Sequence, residues 1–282
     1  MCHKFYVSLM SLRFMVGLAP VRFGSSSLLA AVAAVLSLAA APLHAQTEVP
    51  AVQVLAPAGA QNAQALRWSA PAPARLQFAV AGRVKNFPYK TSAQIDWLPL
   101  EGRYEASQAL QIPIVGVRRQ SSTGTIGPQG LRPEIFMDQG RKEYSTTFDA
   151  SAGHIRFSRG STPAPLVAGT QDRLSVFFQV AGMVAAAPSR YPAGTQLVIQ
   201  AASSSHVTPW TFTVRGSETL QLPAGAMQAL KLEHSSDSAQ RDGLQSALWL
   251  APQLQYLPVR IRLMEDEGRD ELDLKLKSHS KP

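Results

Sequence analysis

The chain has 282 residues, 45% of them hydrophobic and 16% charged, with a single cysteine and a formal net charge of +8. A chain of this length can build a real hydrophobic core, while one cysteine excludes a fold stapled by internal disulfides. The basic excess is moderate; it fits an ordinary solubility margin or contact with anionic envelope surfaces, and no nucleic-acid partner is expected.

At the N-terminus, Arg13 and Arg22 precede the apolar run Leu28 to Ala41, which is followed by Pro42-Leu43-His44-Ala45. This order predicts a cleavable export signal over residues 1–45, with cleavage after Ala45 and a periplasmic mature protein. The run has 14 residues, short of the roughly 20 that a membrane-crossing helix needs, so no transmembrane span is expected after signal removal. Cleavage leaves 237 of the 282 residues and removes Lys4, Arg13 and Arg22, so 24 basic groups face 19 acidic ones. Cys2 departs with the signal and lies upstream of the apolar run, where it cannot become a lipid-carrying first residue. Met10 and Met15 are alternative starts.

Residues 46–74 are rich in Ala, Pro and Gln, as in Ser69-Ala70-Pro71-Ala72-Pro73-Ala74, and read as an extended tether in which Leu66 and Trp68 have the option of docking locally. From residue 75 to 278 a single β-rich domain is expected, followed by a polar tail over 279–282. Leu76, Phe78 and Val80 alternate with wetter residues, as do Ala93, Ile95 and Trp97, which predicts half-buried strands. Turn chemistry at Lys85-Asn86-Phe87-Pro88-Tyr89 and Glu101-Gly102 separates these from each other and from a strand near Tyr104 to Ile112. Farther on, Tyr144, Thr146 and Phe148 run into Asp149-Ala150-Ser151-Ala152-Gly153 and return through Ile155 and Phe157, a hairpin.

One segment departs from period two. Between Thr170 and Pro188, Leu174, Phe177, Phe178, Ala181 and Val184 or Ala185 fall at helical spacing, with Thr170 or Asp172 available as a cap and Pro188 as a stop. An amphipathic helix of about four turns at most is predicted, packed by its Phe face on the concave side or an open end of the sheet. The Phe residues serve either as plain core or as part of a cavity lining.

The last hairpin is the most explicit. Val259, Ile261 and Leu263 alternate with Arg260 and Arg262, Glu265-Asp266-Glu267-Gly268 turns the chain, and Leu272, Leu274 and Leu276 alternate with charges. A turn centred on Asp266-Glu267 sets Arg262 opposite Glu271, Arg260 opposite Asp273, Ile261 opposite Leu272 and Val259 opposite Leu274. A slip of one residue would turn the Leu row to water.

The stretches Gly169-Thr170-Gln171-Asp172-Arg173-Leu174-Ser175-Val176-Phe177-Phe178, Leu222-Pro223-Ala224-Gly225-Ala226-Met227-Gln228-Ala229-Leu230 and Leu248-Trp249-Leu250 leading to Leu257-Pro258-Val259-Arg260-Ile261, with Leu131-Arg132-Pro133 before them, resemble domain of unknown function family 3108. The likeness covers about residues 74 to 278. It implies an exported proteobacterial envelope protein with an antiparallel β architecture, and it implies no activity. Each matched motif also has a structural role: Asp172 caps a helix, Pro223-Ala224-Gly225 turns the chain and Pro258 opens a strand.

Catalytic signatures are missing. No Gly-x-Ser-x-Gly elbow occurs, His154, His206, His234 and His279 are isolated from one another, and no thiolate or paired-ligand spacing suggests a metal. Glu134 and Asp138 share a strand face about 13 Å apart, too far for glycosidase carboxylates. The acidic turn at Glu265 to Glu267 lacks the ligand spacing of a calcium loop, and Gly124-Thr125-Ile126-Gly127 lacks the Lys of a phosphate loop. A membrane barrel would need an apolar outer face where Arg260, Arg262, Glu271, Asp273, Lys275 and Lys277 stand.

The sequence thus predicts a mainly β, soluble periplasmic protein: a strongly curved antiparallel sheet or incomplete barrel of roughly ten to twelve strands with one amphipathic helix. No cofactor, metal or catalytic residue is assigned. The leading function is a non-enzymatic binding or carrier module for an apolar envelope ligand or lipidated client, with Phe78, Trp97, Phe177, Phe178 and Trp210 as candidate cavity-lining residues. The alternative is a structural or assembly factor that pairs with an envelope protein through its sheet edges. A cell-envelope hydrolase ranks third.

Overall fold

A computed structural model of the chain describes residues 51–57, 66–84, 86–112, 116–160, 162–235, 245–265 and 270–282. The expected signal, its cleavage site and the alternative starts lie outside the described residues. Residues Val49–Pro282 form one compact unit.

Twelve strands of seven residues or more carry the fold, in two runs separated by the helix. The first run is β2 (Ala74–Val84), β3 (Phe87–Leu100), β4 (Arg103–Ile112), β5 (Gly116–Gly127), β6 (Gly130–Gln139) and β7 (Glu143–Asp149). The second is β11 (Gln196–Ala202), β12 (Val207–Leu222), β13 (Gly225–Ser235), β14 (Gln245–Ala251), β15 (Leu257–Glu265) and β16 (Asp270–Ser280). Four short strands complete the set: β1 (Val52–Leu55), β8 (His154–Phe157), β9 (Ala164–Pro165) and β10 (Gln171–Asp172). The helix, α1, spans Ser175–Ala186.

All sixteen described strands belong to one sheet, ordered β1-β11-β12-β13-β14-β15-β16-β2-β3-β4-β5-β6-β7-β8-β9, with β10 beside β11. The two runs meet where β16 pairs with β2, which joins the last strand to the first long one. Neighbours along the path are antiparallel, and the short β10–β11 contact is parallel. The sheet does not close: β1 and β9 end the path.

Each strand puts one row of side chains inward, as the alternation in sequence dictates. Leu76, Phe78 and Val80, Ala93, Ile95 and Trp97, and Ile261, Leu274 and Leu276 are all buried. The hairpin turns stand where they were expected, with Gly102 and Gly153 at positive φ. The first turn is tighter than its composition suggested, since Phe87, Pro88 and Tyr89 already pair with β2. There the Tyr89 ring lies over Gly82, so close that an added Cβ would stand 2.1 Å from it. A ring covering a strand glycine shields the backbone the glycine leaves bare.

Three expectations need correction. The last hairpin is shifted by two residues: Leu263 faces Leu272, Arg262 faces Asp273 and Ile261 faces Leu274. Its connection spans residues 266–269 rather than a two-residue turn, and an even shift leaves every side chain on its original face. The foreseen ion pairs persist as diagonal ones, Arg262 to Glu271 at 2.6 Å and Arg260 to Asp273 through two contacts of 2.8 Å. Second, the described parts of the tether, 51–57 and 66–74, are docked. Val52 to Leu55 pair with β11 and Ala51 is buried, because the short Val-Gln-Val-Leu alternation outweighs the surrounding Ala and Pro. The polar tail is also shorter than expected, since His279 and Ser280 pair with Leu76 and Arg75.

The helix lies inside the curve. Asp172 Oδ1 accepts the N–H groups of Leu174 and Ser175, each at 2.8 Å, while Ser175 Oγ accepts the Asp172 N–H at 2.9 Å, in the reciprocal manner of a capping box. Thr170 bonds Val167 instead. Two glutamines then fix the helix to the β5–β6 turn: Gln179 Oε1 accepts the Leu131 N–H at 2.8 Å, and Gln171 Nε2 donates to the Leu131 carbonyl at 2.8 Å. Gly130, at φ +114°, is where Gln179 comes closest; a Cβ there would stand 2.1 Å from its Oε1. Every residue from Ser175 to Val184 is buried, so the helix is enclosed all round and not only on its Phe face.

Candidate functional site

Cross-strand register orders the inner face into rows. One row runs Ala74, Trp97, Ala106, Ser122, Phe136, Thr146, Phe157, all buried beneath the helix. Here Trp97 stacks on Phe178 with centroids 4.4 Å apart and tilts against Tyr104 at 5.8 Å. This end is dry and fully occupied. Within it, Asp172 accepts the Ser122 hydroxyl at 2.5 Å, and Ser122 is 2.9 Å from the Tyr104 hydroxyl. Burial pushes the Asp172 carboxyl up against the opposing pull of its hydrogen bonds, and burial with the Asp172 charge raises the Tyr104 phenol well above its usual range.

A second row, nearer the opposite strand ends, runs Phe212, His234, Ser246, Leu263, Leu272, Gly82, Tyr89. Leu263, Leu272 and Tyr89 are only half-buried although they point to the inner face. Beside them stand Val80 and Leu110, and then a polar flank of Thr91, Arg118, Gln120 and Tyr144, all half-buried. Arg118 grips Asp138 through two contacts, Nε at 2.9 Å and Nη2 at 2.7 Å, so this flank carries no net charge from that pair. Burial raises the Tyr89 phenol, and the Asp270 charge adds to the shift. Away from the helix, then, the inner face presents an apolar patch with a polar border, reached by solvent.

Of the five candidate lining residues, the structure brings Trp97 and Phe178 together in the dry half, with Phe78 in the same core. Phe177 and Trp210 meet edge to face at 6.2 Å, and Trp210 also stacks on His234 at 5.3 Å. These two stand next to the second row and are slightly exposed, at 7% and 3%. A separate groove of about 320 Å³ lies outside this set, lined by Pro188, Tyr191, Pro192, Ala193, Gly216, Ser217, Leu230, Pro252 and Tyr256. Sequence reasoning missed Thr91, Arg118, Gln120 and Tyr144 because polar residues facing inward look like an outer face. The signal available was the doublet Arg118-Arg119, in which adjacent residues of a strand must point to opposite faces.

Among the described residues no group of three or more His, Cys, Asp or Glu is arranged to hold a metal ion. Among them, too, no helix is long and apolar enough to cross a membrane. The family "Protein of unknown function (DUF3108)" matches residues 92–275, and the chain belongs to it. No curated protein matches the chain. Among solved structures, it is similar to a β-barrel-like protein of domain of unknown function DUF1849 from Brucella abortus, at 12% identity and a TM-score of 0.50 over 77% of this chain and 100% of that one. It also aligns with a domain from Vibrio parahaemolyticus provisionally designated an outer membrane lipoprotein-sorting protein domain, at 9% identity and a TM-score of 0.26 over 74% and 84% of the two chains. The first likeness shows the barrel-like fold.

Proposed function

We propose that this member of the DUF3108 family is a non-enzymatic binding or carrier module of the periplasm, which takes the acyl chain of an envelope lipid or lipidated client on the solvent-reached part of its inner face. The observation that carries this reading is the pair Leu263 and Leu272, directly opposed and half-buried on the inner face of the sheet. Apolar side chains left accessible in a concavity, bordered by a few polar groups, are the ordinary anatomy of a small-molecule site. Val80 and Leu110 extend the apolar floor, and the Arg118–Asp138 pair with Tyr144 and Gln120 offers hydrogen bonds at its edge to a polar head. The export signal read from the sequence puts such a module where lipids and lipidated proteins cross an aqueous space.

Native mass spectrometry of the protein isolated directly from the cell envelope tests this. The expected spectrum shows an added acyl-bearing mass that is lost from a Leu272→Lys variant; a wild-type spectrum free of adducts that stays so after incubation with lipid would overturn the reading. The unclosed sheet, ending in β1 and β9, favours a second reading as an assembly factor for an envelope protein. In-cell crosslinking that captures one reproducible protein partner and no lipid would select it.

A further inference from the structure

Residues 66–73, immediately before β2, cross the helix end of the interior without forming a strand. Their hold on the molecule is specific and sparse. The Trp68 indole sits in a slot over Gly182 of α1, where an added Cβ would stand 2.1 Å from its Nε1. Next to it, the Ser69 N–H donates to the Gly182 carbonyl at 3.1 Å. Two residues on, the Pro71 carbonyl accepts the Trp97 indole N–H at 3.0 Å, and the Ala72 N–H donates to Gln255 Oε1 at 2.5 Å.

We propose that residues 66–73 are an exchangeable strap, and that their seat accepts instead an extended peptide of a partner protein carrying an aromatic residue, with a backbone carbonyl three positions later. The seat reads a peptide in sequence: a ring for the Gly182 slot, an N–H one residue on for the Gly182 carbonyl, a carbonyl three residues on for Trp97, and an N–H four residues on for Gln255. Every one of these is a feature of extended backbone plus one side chain, so the chemistry that fits is peptide and not lipid.

Three features mark the seated strap as replaceable. Trp68 Nε1 is buried with no hydrogen-bond partner, so docking leaves a donor unmade. Gly182 stands in the interior of a helix, where alanine would be intrinsically better; what the glycine secures is the slot. Gln255, which holds Ala72, and Tyr256 after it both adopt positive φ, 53° and 63°, a strained local backbone at the point of contact. Pro71 and Pro73 stiffen the strap, so that it leaves and returns as a unit. This site is at the end opposite the apolar patch and stands independently of the function proposed above.

The test uses a fluorescein-labelled peptide of the strap sequence, Leu66 to Ala74, titrated into the purified protein and followed by anisotropy. A Trp68→Ala protein, its own strap weakened, is expected to bind the peptide at least tenfold more tightly than the wild type, and Gly182→Ala on that background to abolish binding. Equal binding of a peptide whose Trp is replaced by Ala, or no binding to any variant, would overturn the proposal. Hydrogen exchange on the wild type is a check that requires no variant: the Ser69 and Ala72 amides should exchange at least a hundredfold faster than the amides of β3. Exchange at the rate of global unfolding would show the strap to be integral and would contradict it. A wild-type dimer formed by swapped straps would assign the seat to a second copy of this chain and overturn the partner assignment.

Discussion

The two ends of one inner face are built from the same alternating strands and end up different. Beneath α1, the row through Trp97, Ser122 and Phe136 is buried, Ser122 donates to Asp172 and Thr146 to the Ser203 carbonyl, and Gln171 and Gln179 tie the helix to the sheet. On the same inner face, Leu263 of β15, Leu272 of β16, Tyr89 of β3 and Tyr144 of β7 also point inward but are only half-buried. Strand pattern therefore decides which face is apolar, and the placement of a single helix decides how much of that face becomes core. The part left over is where a ligand has something to bury.

The largest test of this contrast is a pair of truncations. Trp97→Ala should cost about 3–5 kcal/mol of stability in urea unfolding, as large core side chains do, while Leu263→Ala should cost about 1 kcal/mol because its side chain is already half in water. Equal costs would erase the distinction between the ends. Next comes Gly130→Ala, which places a Cβ against Gln179 at a left-handed backbone position and should destabilise by about 1–3 kcal/mol in the same assay. No change there would mean the glutamine clamp does not hold the helix.

The helix-covered end should also leave a pH signature in the carboxylate range. With its carboxyl pushed up by burial, native Asp172 keeps a proton that the unfolded chain has already released. Its contribution is therefore fully present below the unfolded carboxylate value of about 3.9 and is lost as pH rises through the raised native value. Asp172→Asn should flatten this fall in stability with rising pH, measured as denaturation midpoints across that window; an unchanged slope would remove Asp172 as its source. The smallest effect on stability belongs to Leu272→Lys, whose ammonium can reach the solvent at the mouth. Its melting temperature should stay within a few degrees of wild type while acyl binding is lost.

Much of the fold was legible because it rests on period two. The Leu row of β15 and β16, the row of Leu76, Phe78 and Val80, and the faces of Arg260 and Arg262 all follow from alternation alone. The register of the last hairpin did not, since an even shift leaves the faces intact and only the length of the connection selects among such registers. β5 escaped for a different reason: its inward residues are Arg118, Gln120 and Ser122, and an inner face made of polar groups gives no apolar rhythm to detect. The docking of residues 66–74 was legible only as the local option left to Leu66 and Trp68 amid Ala and Pro, and both do pack against the core. For the candidate site, sequence supplied the aromatic residues, and all five are buried in the core, Phe177 and Phe178 on α1 and Phe78, Trp97 and Trp210 on strands. Which part of the face stays uncovered depends on where the helix sits, a tertiary fact that no local pattern encodes.

Methyl-resolved NMR of the purified protein during titration with dodecanoate examines the central claim most directly. The account predicts that shift changes and ligand contacts gather on the Leu263, Leu272, Val80 and Leu110 methyl groups and spare the fully buried Leu76, Ile95 and Leu232. Contacts confined to the outer face, or none at millimolar ligand, would contradict it.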